Sequence, residues 1–131
     1  NLQHKYKLIQ EREAKAETFM VEDADLVVAA FGLMSRIAKR AVMDARQKGI
    51  KVGLIRPVTL WPFPEKAFQE AAEHVSKFLS VEISMGQMVE DIRLAVNGRV
   101  PVEFYGRIGL IPNPEEITRQ IMKIAQQEGW V

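Results

Sequence analysis

One stretch decides the fold, and from residue 51 to residue 64 it reads Lys-Val-Gly-Leu-Ile-Arg-Pro-Val-Thr-Leu-Trp-Pro-Phe-Pro. Its apolar first half follows a Gly-Ile pair and is typical of a short strand buried on both faces of a parallel sheet. Pro57 ends that strand, because proline has no amide hydrogen to donate to a sheet ladder. Each later proline restricts the residue before it, so we expect Trp61 and Phe63 to be held in fixed, extended positions.

Strand and helix patterns alternate on both sides of this stretch. Before it, the continuous apolar run Leu26–Phe31 predicts a buried strand, and a following helix is expected to start at a Ser35 cap and to end at Gly49. After it, the patterns predict a helix around 67–75, a strand at 78–82, a helix around 85–96, a strand at 102–105 and a helix from Asn113. The fold class is therefore α/β: a three-layer α/β/α sandwich with a mostly parallel sheet.

Composition excludes several classes of function. The chain has 131 residues, of which 47% are hydrophobic, and its 18 Lys and Arg against 17 Asp and Glu leave a formal net charge of +1. Nucleic-acid binding needs an excess of positive charge, and a bilayer span needs about 20 consecutive apolar residues; the sequence has neither. It has no Cys, and therefore no disulfide and no cysteine-ligated metal or iron–sulfur cluster. We expect a cytoplasmic protein.

The first residues predict a solvated helix. Apolar residues at helical spacing among charges of alternating sign indicate a helix from about Leu2 to Ala16. A membrane-binding face would be basic, so a connecting helix is favoured over a membrane-surface role. Because the chain begins with Asn1, we expect a fragment of a longer polypeptide, with residues 1–21 as a connecting helix from a missing upstream domain and residues 22–131 as the α/β domain.

Candidate binding residues lie where strands end, because ligands collect at the carboxyl ends of parallel strands. Gly32 and Ser35 offer backbone amides at a helix start, which is a possible anion loop. The loop lacks the glycines of a dinucleotide fingerprint and the lysine of a P-loop, so a simple turn and cap are favoured.

A second group of residues predicts a protein interface. Trp61 and Phe63 form a rigid aromatic pair, which is more often an interface anchor than a pocket. Arg56 and Arg107 both follow strands; they either converge on one anion or form salt bridges with nearby acids. The possible interface residues are Arg56, Thr59, Trp61, Phe63, Gln87 and Arg107.

No catalytic or metal-binding residues are predicted. Glu90 and Asp91 are neighbours on a helix and point about 100° apart, so they cannot work as an acid–base pair. Glu82 ends a buried strand, either as a buried acid or as a hydrogen-bond acceptor for a nearby loop amide. His74 is expected on a helix surface, without a second histidine at ligand spacing.

Four segments of the sequence resemble a known family. They are residues 23–32 (DADLVVAAFG), 49–64 (GIKVGLIRPVTLWPFP), 85–91 (MGQMVED) and 102–107 (VEFYGR). Over about residues 22–121, the chain resembles the C-terminal domain of the alpha subunit of 2-oxoacid:ferredoxin oxidoreductases, most closely the branched-chain 2-oxoisovalerate type. The second and third segments are specific to the family, whereas the first alone would be generic.

The resemblance implies a fold like the transketolase C-terminal domain, in which one edge strand can be antiparallel. It implies a complex that uses thiamine diphosphate to decarboxylate a 2-oxoacid, passes electrons through iron–sulfur clusters to ferredoxin and releases an acyl-CoA. The chain has no Gly-Asp-Gly thiamine signature and no Cys. The chemistry is therefore expected in an N-terminal thiamine-interacting domain and in other subunits, and this piece is expected to be a non-catalytic assembly domain that binds no cofactor and is inactive alone.

Two alternatives remain open. The chain could be a free-standing module that binds a small anion or a nucleotide at Gly32 and Ser35, or a piece of another transketolase-like enzyme such as a 2-oxoacid dehydrogenase.

Overall fold

The computed structural model describes residues 15–83, 86–106 and 111–131. In chain order, its elements are β1 (Ala16–Phe19), β2 (Leu26–Ala30), α1 (Leu33–Gln47), β3 (Val52–Pro57), α2 (Glu65–Ala71), β4 (Lys77–Glu82), α3 (Gln87–Val96), β5 (Val102–Gly106) and α4 (Pro114–Glu128).

The strands form one five-stranded sheet in the order β1-β3-β2-β4-β5. Strands β2 to β5 pair in parallel, and β1 pairs antiparallel with β3 at one edge. Helices α1 and α4 pack together on one face, and α2 and α3 pack together on the other. The predicted three-layer sandwich is confirmed, and β1 is the antiparallel edge strand that the resemblance allows.

The central strands supply two apolar cores. Strand β2 is buried at all five positions, and β3 at all but one. Because alternate side chains of a strand point to opposite faces of the sheet, each central strand contributes side chains to both cores. The core beneath α1 and α4 includes Leu26, Val28, Leu54, Leu79, Ile117 and Ile121, and the core beneath α2 and α3 includes Val27, Ala29, Phe68, Phe78, Val89 and Ile92.

The beginning of the domain differs from the sequence prediction. A helix is expected up to about Ala16, but Ala16–Phe19 is a strand hydrogen-bonded to β3. The strand lacks a continuous apolar run because Glu17 and Thr18 are exposed at the sheet edge. The sheet therefore begins before residue 22, the expected start of the domain, and the predicted helix over residues 2–14 lies outside the described residues.

Arg46 ties the amino end of the sheet together. From the end of α1, its Nε donates to the carbonyl oxygen of Val52 at 2.8 Å, and its Nη2 donates to the carbonyl oxygen of Met20 at 2.8 Å. Both terminal nitrogens also donate to the Asp23 carboxylate, at 2.6 and 3.1 Å. One guanidinium thus joins the helix, β3 and the β1–β2 connection.

We expect Arg46→Met to lower the free energy of unfolding by about 2 kcal/mol, because two backbone carbonyl groups and a carboxylate lose their donor together. The matched control is Arg40→Met on the same helix. Arg40 is 71% exposed and pairs only with Asp44, at 3.6 Å. Its loss should cost no more than about 0.5 kcal/mol. Urea denaturation measures both, and equal losses would show that the Arg46 contacts do not support the fold.

The same contact predicts a pH dependence. The hydrogen bond from Arg46 lowers the pKa of the Asp23 carboxyl, so its ionised form is favoured in the folded state. The stabilisation is present above the unfolded pKa of about 3.9 and is lost as the pH falls through the lower folded pKa. In an NMR titration, we expect Arg46→Met to raise the pKa of Asp23; an unchanged pKa would rule out this linkage.

Candidate functional site

Exposed apolar side chains gather where β2 and β3 end. These two parallel strands are neighbours, so the segments that follow them leave the same edge of the sheet. We call this group the carboxyl-end surface; its exposed members are Phe31, Leu33, Val58, Leu60 and Trp61. Phe31 was expected inside the strand, but β2 ends at Ala30 and the Phe31 ring is 41% exposed. Soluble surfaces seldom cluster apolar groups in this way unless something binds them.

The loop after β3 presents Trp61 to solvent. The Trp61 side chain is 78% exposed, and the Trp61–Pro62 peptide bond is cis. Thr59 donates its hydroxyl to the carbonyl oxygen of Pro62 at 2.9 Å, which closes the loop on itself. Thr59 therefore braces the loop internally, and Trp61 is the residue that projects from it.

The sequence predicts that Phe63 projects beside Trp61, but in the structure it does not. Its half-buried ring stacks on the Phe68 ring, with centroids 5.2 Å apart and an interplanar angle of 14°. Phe68 in turn contacts Phe78 in the core. Because Pro64 is the N-cap of α2, Phe63 and Phe68 occupy the two positions of a hydrophobic staple, which fixes how the chain enters a helix. That spacing was the sequence signal for the role of Phe63.

The other predicted interface residues have separate surroundings. Arg56 Nη1 lies 2.9 Å from Glu17 Oε2, so Arg56 forms a salt bridge across the β1–β3 pair. Gln87 is the exposed first residue of α3. Arg107 lies outside the described residues, so its convergence with Arg56 on one anion stays a prediction.

The Gly32–Ser35 loop has a different cap from the one expected. The helix begins at Leu33 with Gly32 as N-cap, in a left-handed region with φ of 62°, and no side chain caps the helix. Ser35 is the third helical residue, is buried, and donates its hydroxyl to the Gly32 carbonyl oxygen at 2.6 Å. Since that proton is already used within the helix, Ser35 cannot offer it to an anion. The anion loop stays a prediction, without support from this hydroxyl.

Glu82 caps a helix. At the end of β4 its side chain is buried; Oε1 accepts from the Met88 amide at 2.7 Å, and Oε2 accepts from the Val89 amide at 3.1 Å. The Ser80 hydroxyl donates to Oε2 at 3.1 Å. A carboxylate here satisfies free amides and interacts favourably with the α3 dipole. The structural hydrogen bond expected of Glu82 is therefore present, although its donors are helix amides and not a loop amide.

We expect Glu82→Ala to lower the free energy of unfolding by at least about 2 kcal/mol, because two helix amides lose a charged acceptor. Glu90→Ala is the matched control. Glu90 also lies in the first turn of α3, but its side chain is 66% exposed and pairs with Arg93. The control should lose no more than about 0.5 kcal/mol in urea denaturation. Similar losses for both variants would contradict the capping role.

A metal-ligand cluster, a histidine contact or a membrane-spanning helix among the described residues would also bear on function. Among residues 15–83, 86–106 and 111–131, no group of three or more His, Asp or Glu side chains could hold a metal ion. His74 is exposed, as predicted, but it lies in the turn after α2 and not on the helix; its Nε2 lies 2.8 Å from the Val21 carbonyl oxygen. Within the same ranges, no helix is long and apolar enough to cross a bilayer.

Comparison with known families identifies the domain. The model for pyruvate:ferredoxin oxidoreductase core domain II matches residues 24–117. The chain belongs to this family. The match spans β2 and β3, from which the carboxyl-end surface extends.

Individual relatives of the chain are consistent with the family match. This core domain II is 49% identical over 125 residues to ketoisovalerate oxidoreductase subunit VorB of Methanothermobacter marburgensis, with 95% of this chain and 35% of that protein covered. It is 37% identical over 122 residues to 2-oxoglutarate synthase subunit KorA of the same organism, with 92% and 31% covered. The chain thus spans about a third of the length of these curated relatives, which are subunits of 2-oxoacid oxidoreductases.

Solved structures show the same fold. A 2-oxoglutarate:ferredoxin oxidoreductase from Magnetococcus marinus, solved with 2-oxoglutarate, coenzyme A and succinyl-CoA bound, superposes with a TM-score of 0.78 at 22% identity, covering 93% of this chain and 22% of that chain. A split-gene transketolase, described as an inactive beta4 tetramer, gives a TM-score of 0.69 at 15% identity, covering 83% and 40%. The expected likeness to transketolase domains is confirmed at the level of fold.

Proposed function

We propose that this core domain II is a non-catalytic assembly domain in the alpha subunit of a thiamine diphosphate-dependent 2-oxoisovalerate:ferredoxin oxidoreductase. The 49% identity to a ketoisovalerate oxidoreductase subunit supports the substrate class, and the family match supports the reaction class. The whole complex oxidatively decarboxylates a 2-oxoacid to an acyl-CoA in the cytoplasm and passes the electrons to ferredoxin. The domain contributes a docking surface.

The exposure of Trp61 is the observation that carries this proposal. A tryptophan side chain that is 78% exposed at the tip of a braced loop, beside four further exposed apolar residues, is costly to leave in water. Such side chains are frequent anchors at the centre of protein interfaces. The partners that fit are the N-terminal thiamine-interacting domain of the same subunit and other subunits of the oxidoreductase.

The use of the buried polar groups supports a role without catalysis. Glu82 caps α3 and Ser35 bonds within α1. The chain has no Cys to hold a cluster and no Gly-Asp-Gly thiamine signature, so its residues do not fit these two cofactors. We therefore assign thiamine diphosphate and the iron–sulfur clusters to other parts of the complex, and we propose that coenzyme A binds there too.

We expect Trp61→Ala to weaken association of the domain with the remaining polypeptides of its oxidoreductase by at least about tenfold, since anchor tryptophans contribute about 2 kcal/mol or more. The free energy of unfolding of the isolated chain should change by no more than about 0.5 kcal/mol, because the side chain touches little of its own domain. Association is measured by co-purification and titration, and stability by urea denaturation.

Leu94→Ala and Phe63→Ala are the controls. Leu94 is 76% exposed but lies on α3, outside the carboxyl-end surface, so its loss should leave association unchanged. Phe63→Ala should destabilise the domain, since it removes the ring stacked on Phe68. If Trp61→Ala left association intact, or unfolded the isolated chain, the carboxyl-end surface would not be the docking surface.

A further inference from the structure

We propose that a cleft between β1 and α1 binds a small oxyanion, a compound that carries a phosphate or carboxylate group. This β1–α1 cleft has an apolar floor and a charged rim; the floor is Phe19 and Leu54, and the rim is Glu17, Arg36, Lys39 and Arg56. The site goes beyond the proposed assembly role, and its residues are not members of the carboxyl-end surface.

The pairing of β1 with β3 builds one wall of the cleft. Glu17 lies opposite Arg56 and Phe19 opposite Leu54, so the register sets two polar side chains beside two apolar ones. The first turns of α1 supply the other wall with Arg36 and Lys39. The cavity volume of the cleft is about 280 Å³, and the cleft is partly open to solvent. Sites for drug-sized molecules measure roughly 300–1,000 Å³, so this cleft suits a smaller ligand.

The charges of the cleft are unbalanced. Three cationic side chains face one carboxylate, although the whole chain has nearly equal numbers of each sign. Among the described residues, neither Arg36 nor Lys39 forms an ion pair. By contrast, Arg40 and Arg46 on the same helix each pair with an aspartate. Within α1, the two cations without an acidic partner are therefore the two that line the cleft.

Two of the cations are also held in place. Lys39 Nζ lies 4.8 Å from the centroid of the Phe19 ring, a cation–π contact that positions the ammonium over the cleft floor. Arg56 donates one hydrogen bond to Glu17, from Nη1, and its buried Nε has no acceptor among the described residues. A guanidinium can donate up to five hydrogen bonds and favours bidentate recognition of oxyanions, so Arg56 retains unused capacity.

These features together favour a small oxyanion as the ligand. Two cations lack a carboxylate partner, and a cavity of about 280 Å³ has room for a small anion. Charge-assisted hydrogen bonds from lysine and arginine are the usual means of holding such groups. Because the cleft is partly open, salt should weaken binding by screening.

The test is calorimetric titration of the chain with inorganic phosphate and with pyrophosphate at low ionic strength. The double variant Arg36→Gln/Lys39→Gln removes two cations of the cleft. The matched control, Arg40→Gln/Lys66→Gln, removes the same net charge from exposed i,i+4 pairs elsewhere. We expect the cleft variant to bind at least about tenfold more weakly, and the control to change affinity less than about twofold.

Saturable binding by the wild type that the cleft variant loses and the control keeps would support the site. No saturable binding up to about 10 mM ligand, an affinity weaker than about 3 kcal/mol, would overturn it. Equal weakening in both double variants would overturn it too, because only overall charge would then matter. Either failure would leave the Trp61 docking role untouched, since that role depends on separate residues.

Discussion

The stacking of Phe63 on Phe68 is the contact on which the functional surface depends. It joins the loop after β3 to the first turn of α2, and through Phe78 to the core of the sheet. With the half-buried Phe63 ring packed at its base, the loop has a fixed direction, and Trp61 points away from the domain. An apolar side chain held in water in this way favours association because its surface is already positioned for a partner.

The polar groups of the domain serve mostly to shape it. Arg46 joins three segments at the amino end of the sheet. Glu82, at the end of β4, caps the N-terminus of α3. Hydrogen bonds of this kind fix the positions of helices relative to strands. These structural uses of the polar groups support the proposed assembly role.

Much of the fold follows from local pattern. The buried strand ending at Pro57 and the Asn113 cap of α4 were predicted, and Asn113 accepts the Glu116 amide at 3.0 Å. Strand β1 was not predicted, because an edge strand with an exposed Glu17 lacks the apolar run that indicates a buried strand. The site was harder to predict: Trp61 is exposed as expected, but the staple turns Phe63 inward. The acid that pairs with Arg56 comes from a strand 39 residues earlier in the chain, which no local pattern shows.

The central claim is that the carboxyl-end surface is covered by other protein in the working complex. Hydroxyl-radical footprinting with mass spectrometry, on the isolated chain and on the assembled oxidoreductase, measures this directly. The account predicts rapid oxidation of Trp61 in the isolated chain and strong protection in the complex, with Leu94 as the internal reference on α3. Equal oxidation of Trp61 in both states would contradict it.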